Sequence, residues 1–131
     1  MQITSSTFLT SAPKRQLCPP ADREEIVFIG RSNVGKSSLI NALCNKKDLA
    51  KISVKPWKTQ LINYFSITSQ DEGKNTKQRY LVDLPWYGYA KVSHSARLDR
   101  EDMITDYFLN RPSIAQICVL IDSSVPPQAI D

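Results

Sequence analysis

Gly30-Arg31-Ser32-Asn33-Val34-Gly35-Lys36-Ser37-Ser38 has the residue types, at the right spacing, to hold a polyphosphate. The stretch fits G-x-x-x-x-G-K-[ST], and each fixed position has a physical reason. Gly30 and Gly35 lack a Cβ, so the backbone can turn tightly and come close to phosphate oxygens. Successive N–H groups then face one concavity, an anion nest. The positive end of a helix starting near Gly35 adds to the attraction. Lys36 would reach the β- and γ-phosphates as a point charge, and the Ser37 hydroxyl would ligate a bridging Mg²⁺. Ser38 would donate to the α-phosphate from the first helical turn. At ordinary residue frequencies a chance match somewhere in such a chain is roughly a 0.4% event. The alternative is a glycine-rich strand-to-helix turn that binds nothing.

Asp83 ends the apolar run Arg79-Tyr80-Leu81-Val82 and is followed by Leu84-Pro85. An acid at the tip of a core strand beside a phosphate loop is the Walker-B arrangement, which holds Mg²⁺. A turn or helix cap is the plainer reading. Thr59 sits in a polar loop directly before Gln60-Leu61. A threonine hydroxyl there can join the metal only when a γ-phosphate is present, which would order the loop and make a switch. An exposed threonine before a strand is the ordinary alternative.

These residues need elements to position them. Ile26-Val27-Phe28-Ile29 predicts a buried strand over 25–29, and Leu39-Ile40-Asn41-Ala42-Leu43-Cys44 predicts a helix over 35–45. Leu39, Leu43 and either Ile40 or Cys44 would form its buried face. Residues 46–60, basic and broken by Pro56, read as a mobile loop. Strands are expected at 61–68 and 79–83, with the polar stretch 69–78 as their hairpin connection. A second irregular loop covers 84–95. The best helical pattern is 96–110, with Leu98, Met103, Ile104, Tyr107 and Phe108 largely on one face and Arg111-Pro112 closing it. Residues 114–122 read as a core strand. The β-α-β-β-α-β order suits a doubly wound, mostly parallel α/β sheet with one antiparallel hairpin strand. Ligand would sit at the carboxyl ends of the strands, where the Gly30, 46–60 and Asp83 loops converge. Residues 1–24, with Pro13, Pro19 and Pro20, read as an irregular lead-in along the sheet edge.

The chain has 131 residues, 41% apolar and 23% charged, which bounds it to one domain or part of one. No apolar run approaches the ~20 residues of a membrane span. The first ten residues lack a charged n-region and a long apolar core, so they are no secretory signal. They are Ser/Thr-rich and acid-free, as organellar transit peptides are, but short, and read as a mobile terminus. Cys18, Cys44 and Cys118 fit no metal spacing and read as reduced thiols of an intracellular protein, and His94 is the sole histidine. Net charge is +4, with Lys46, Lys47, Lys51, Lys55 and Lys58 crowded against Asp48. That cluster is either a solvated helix end and loop or a face for nucleic acid or phosphate.

Taken together, GRSNVGKSSLINAL, KTQLINYF, LVDLPWYGYAKV, DYFLNRP and VLIDSS resemble the EngB family of ribosome-assembly GTPases, from about Phe8 to Asp131. The resemblance implies a Ras-like P-loop G domain that binds GTP or GDP with Mg²⁺ and acts as a monomeric switch on the large ribosomal subunit or its rRNA. On matching positions, Gly30, Arg31, Ser32, Asn33, Val34, Gly35, Lys36, Ser37 and Ser38 form the phosphate loop. Trp57, Lys58, Thr59, Gln60 and Leu61 fall at the first switch; Asp83, Leu84, Pro85 and Trp86 open the second. Ser37, Thr59 and Asp83 are the implied magnesium ligands, and Lys36, Asn33 and Thr59 the catalytic set. Related GTPases use an asparagine at the place of Asn33 to bind K⁺, which stabilises transition-state charge. The implied compartment is the bacterial cytoplasm, with a plastid or mitochondrion as the alternative.

The chain departs from that family in two ways. Pro-Gly in each switch is replaced by Pro56-Trp57 and Pro85-Trp86. Trp86 keeps the N–H that would meet the γ-phosphate but adds an indole and loses access to positive φ, a strain of about 1–3 kcal/mol if the turn needs it. Hydrolysis is therefore expected to be slow or absent, unless both indoles lie outside the site. Tyr87, where a water-orienting glutamine would stand, points to help from a cation or from the ribosome. The family's guanine-reading motif, Asn/Thr-Lys-x-Asp, would fall after Asp131. Residues 25–131 thus read as the N-terminal part of a single, C-terminally truncated G domain, with 114–122 left as an exposed apolar edge. Two functions compete: a slow GTPase switch, and a non-hydrolysing module that docks on ribosomal RNA through its lysines. The switch sequences disfavour a P-loop kinase or ATPase.

Overall fold

A computed structural model describes residues 2–30, 35–47, 49–50, 61–85 and 103–121. Strand β1 is Gln2–Ala12 and is followed by a short 3-10 turn, Arg15–Leu17. Then come β2 (Glu25–Gly30), α1 (Lys36–Leu43), β3 (Ile62–Gln70) and β4 (Thr76–Leu84). Residues 103–110 are helical and are called α2; β5 is Ile114–Leu120. The five strands form one sheet in the order β1-β3-β4-β2-β5.

β2 runs parallel to both neighbours, β4 and β5. Its unbroken apolar run is what burial on two faces demands. Val27 and Ile29 join one core with Ile62, Tyr64, Val82, Leu84 and, from α2, Ile104 and Tyr107. Phe28 faces the other way, into a core with Phe65, Ile67, Leu81, Ala50 and, from α1, Ile40 and Cys44. The two helices therefore cover opposite faces, and the expected doubly wound α/β architecture is present.

Four expectations are corrected. The lead-in is neither irregular nor mobile over residues 2–12: it is an edge strand, antiparallel to β3, with the Phe8 ring edge-on to Phe65 at 5.7 Å. The sheet is mostly parallel in direction, as expected: β3 alone runs against the other four strands, and its pairings with β1 and β4 are the antiparallel ones. The hairpin arms reach further into polar sequence, leaving a turn only about Asp71–Asn75, where Asn75 N–H donates to Asp71 Oδ1 at 2.9 Å. Helix α1 buries Ile40, Asn41 and Cys44 and exposes Leu39 and Leu43. Asn41 decides that rotation: its amide donates to the carbonyls of Lys47 (3.0 Å) and Ala50 (2.9 Å) and accepts the Ala50 N–H at 2.6 Å. Finally, β5 is not buried as a core strand; it is the last of the described strands in the sheet, the edge expected at 114–122. Ile117, Val119 and the following Ile121 are exposed, as the expected apolar edge requires.

Candidate functional site

Two strand ends and one helix start meet at one edge of the sheet. Parallel pairing sets Phe28 beside Asp83 and Ile29 beside Leu84, so β2 and β4 finish together. α1 begins beyond β2 with Gly35 as its N-cap, at φ 87°. That left-handed conformation is strained for any residue with a Cβ. A Cβ built on Gly35 would meet nothing within 4 Å, so among the described residues nothing packs against that side of it. No side chain caps this start, and its first turn holds no acid. A helix end without a side-chain cap and with its positive dipole exposed suits an anion.

Lys36, the first residue of α1, lies over the end of β4. Its Nζ donates to the Leu84 carbonyl at 2.7 Å and sits 2.6 Å from Asp83 Oδ1. The second contact is an ion pair without hydrogen-bond alignment: among the described residues the buried Oδ1 has no hydrogen-bond donor. Asp83 Oδ2 receives only a long 3.4 Å contact from Asn63 Nδ2. Both side chains are mostly buried, Lys36 at 15% and Asp83 at 11% exposure. A buried carboxylate oxygen whose close neighbour among the described residues is a lysine ammonium, beside an uncapped helix start, can exchange that ammonium for another cation or for a charged ligand.

Against known proteins, residues 25–131 match the family described as 50S ribosome-binding GTPase. The chain belongs to that GTPase family. A GTP-binding protein of Arabidopsis thaliana is 51% identical over 130 residues, covering 99% of this chain and 41% of the relative. The probable GTP-binding proteins EngB of Chlorobaculum parvum and Christiangramia forsetii are 47% and 49% identical over 131 residues. Those alignments cover 100% of this chain and 64% and 62% of the relatives. The chain therefore spans 41% to 64% of the length of these relatives. The resemblance to EngB proteins read from the motifs is borne out.

Within this GTPase-family chain the structure brings Gly30, Gly35, Lys36, Asp83 and Leu84 together. Gly30 is the buried last residue of β2, Ser37 is half-buried and Ser38 exposed on α1. The Leu84 side chain is in the core, and only its carbonyl turns to Lys36. Leu61 is half-buried and Pro85 buried. Arg31, Ser32, Asn33, Val34, Trp57, Lys58, Thr59, Gln60 and Trp86 lie outside the described residues, as do Asp48, Lys51, Lys55, His94 and Leu98. Of the lysine cluster, Lys46 is spent on the protein itself, since its Nζ donates to the Ser6 carbonyl and ties the end of α1 to β1.

Two residues at the site were not singled out by any motif. Asn63 interrupts the apolar run Leu61-Ile62-Asn63-Tyr64-Phe65, a signal that was legible. Ser11, which donates to Asn63 Oδ1 at 2.6 Å, had none, because it lies in a Ser/Thr-rich stretch. All three thiols are free, and burial pushes the Cys18 and Cys44 thiols up. No metal-holding group of three or more His, Cys, Asp or Glu occurs among the described residues. No helix among them is long and apolar enough to cross a membrane.

Proposed function

We propose that this chain is the phosphate- and magnesium-holding part of a GTP-binding switch that acts on the large ribosomal subunit. The observation that carries the reading is Lys36 seated against Asp83, both at the uncapped start of α1. The donor set fits Mg·GTP or Mg·GDP. Gly35 and the first turn of α1 would take the phosphates, with Lys36 leaving Asp83 for their oxygens. Ser37 and Asp83 would hold Mg²⁺, joined by Thr59 when GTP is present. Bound there, Mg²⁺ neutralises charge between the β- and γ-phosphates. The unsatisfied Asp83 Oδ1 is the atom such a shell would use, directly or through water. Guanine preference and the ribosomal partner rest on family membership and on the relatives' names, not on a base-reading residue in these 131 positions.

Calorimetric titration of the folded chain with GDP and GTP in Mg²⁺ tests the reading; micromolar or tighter binding of both is expected, and no heat with either would refute it. Trp57 and Trp86 curtail hydrolysis in this proposal, so phosphate release is slow and Trp86→Gly raises it. Equal turnover in the variant and the parent would remove that part. Asn33 carries the K⁺ dependence: turnover in KCl exceeds that in NaCl, and equal rates would remove the cation. Ribosomal docking predicts salt-sensitive cosedimentation with the large subunit. The protein acts as a cytoplasmic monomer.

A further inference from the structure

Asp83 presents two oxygens in different surroundings, and a row of side chains across the sheet explains the difference. Ser11 on β1 pairs with Asn63 on β3, and Asn63 pairs with Asp83 on β4. Asn63 and Asp83 stand two residues from Phe65 and Leu81, whose side chains enter the core under α1, so both face that side of the sheet. Ser11 Oγ donates to Asn63 Oδ1 at 2.6 Å, and Asn63 Nδ2 donates to Asp83 Oδ2 at 3.4 Å. The serine fixes which way the amide points. An asparagine amide has one accepting and one donating end, so a hydroxyl donated to Oδ1 leaves the NH₂ facing the carboxylate. The flipped amide would set its carbonyl against the carboxylate and waste the serine proton.

The consequence is a division of labour within one carboxylate. Oδ2 is turned toward the sheet by Asn63. Oδ1 is left toward α1, beside Lys36 and without a donor. We propose that Asn63, oriented by Ser11, is a positioning residue for the magnesium-holding oxygen of Asp83: it occupies Oδ2 so that Oδ1 alone faces the phosphate site. The proposal rests on the nucleotide reading above. It adds a pair of side chains that extends the site from Asp83 on β4 across two strands, to β1 at the edge of the sheet. Partners of this kind tune metal affinity without touching the metal.

The test separates metal affinity from nucleotide affinity in the full chain. GDP affinity is measured by calorimetry in excess EDTA, and Mn²⁺ affinity of the GDP complex by electron paramagnetic resonance. Asn63→Leu lowers Mn²⁺ affinity about 10-fold and leaves GDP affinity in EDTA within twofold of the parent. Ser11→Ala gives a smaller loss in the same direction, about 3-fold. The double variant is no worse than Asn63→Leu alone, because Ser11 acts through Asn63. A merely structural role would not produce that loss without a change in EDTA, nor that non-additivity. Unchanged Mn²⁺ affinity in Asn63→Leu, or losses that multiply in the double variant, would overturn the proposal while GDP binding stands. Should Asn63→Leu fail to fold, Ser11→Ala decides, and parental Mn²⁺ affinity there overturns it. A parent chain that binds GDP neither in EDTA nor in Mg²⁺ refutes the nucleotide reading itself.

Discussion

Two buried carboxylates stand at opposite ends of the same parallel strands, and their surroundings differ in kind. Glu25 opens β2 and is fully buried. Arg111 Nε and Ser113 Oγ both donate to its Oε2 at 2.7 Å, and the Tyr107 hydroxyl donates to Oε1. The partners are themselves tied down: Arg111 also donates to the Pro19 carbonyl at 2.8 Å, and the Tyr64 and Tyr107 hydroxyls lie 2.5 Å apart. Asp83, near the end of β4, has one misaligned ammonium and one long amide contact. A charge removed from water is tolerated when its lone pairs are filled. The filled one closes the fold at one end by joining β2, α2 and the lead-in. The unfilled one, at the other end, has only Lys36 and Asn63 near it among the described residues. An acid's residue type does not tell these roles apart; the count and aim of its donors do.

Breaking the filled end should have the largest effect on stability. Arg111→Ala leaves Glu25 buried without its main counter-charge and lowers unfolding free energy by about 3–5 kcal/mol, read by urea denaturation. Removal of the charge at the other end, by Asp83→Asn, should cost less, because Lys36 keeps the Leu84 carbonyl as a partner and its long stem can carry the ammonium toward water. If the two variants destabilise equally, the contrast between the ends is wrong.

Lys36→Met sharpens the comparison from the opposite side. It removes a cation that serves the fold only through one carbonyl and one misaligned ion pair. GDP affinity should drop at least 100-fold, about 3 kcal/mol, while the denaturation midpoint falls by less than in Arg111→Ala. A large midpoint shift with unchanged GDP affinity would make Lys36 a structural lysine.

Gly35→Ala is a smaller and purely conformational perturbation. The added methyl meets nothing within 4 Å, so the penalty is that of φ 87° alone. That is about 1–2 kcal/mol, shown either as lost stability or, if the loop relaxes, as weaker GDP binding. A variant as stable as the parent that also binds GDP as tightly would mean the helix start does not need this conformation.

The contrast between the two ends was only half legible in the sequence. The Lys36–Asp83 end was readable because its chemistry lies in short motifs: a glycine loop between an apolar strand and a helix, and an acid at a strand tip. The Glu25 end was not, since its partners come from residues 19, 64, 107, 111 and 113 and meet only through the tertiary fold. β1 escaped notice for a local reason. Its Ser/Thr-rich sequence carries little apolar signal, and irregularities between Ile3 and Ser5 and between Phe8 and Thr10 break the two-residue alternation. The face of α1 is ambiguous in the sequence because 39/43 and 40/44 are equally good apolar pairs, and a polar residue, Asn41, settles which turns inward.

The finest probe of the comparison is alkaline titration. Burial pushes the Tyr107 phenol well above its ordinary 10.0, and its hydrogen bond to Glu25 raises it further. Burial pushes Tyr64 up as well. Both are groups whose folded value exceeds the unfolded one, so their contribution to stability is whole below pH 10 and is lost as pH rises beyond it. Ultraviolet titration should therefore show these phenols ionising late, together with alkaline unfolding. Asp83→Asn, at the far end of the strands, should leave that profile unaltered. Glu25→Gln takes away the negative charge that the Tyr107 proton faces, so the late phase should move to lower pH wherever the variant stays folded. A profile that responds to Asp83→Asn and ignores Glu25→Gln would mean that the sealed end is coupled to the ligand end rather than isolated from it.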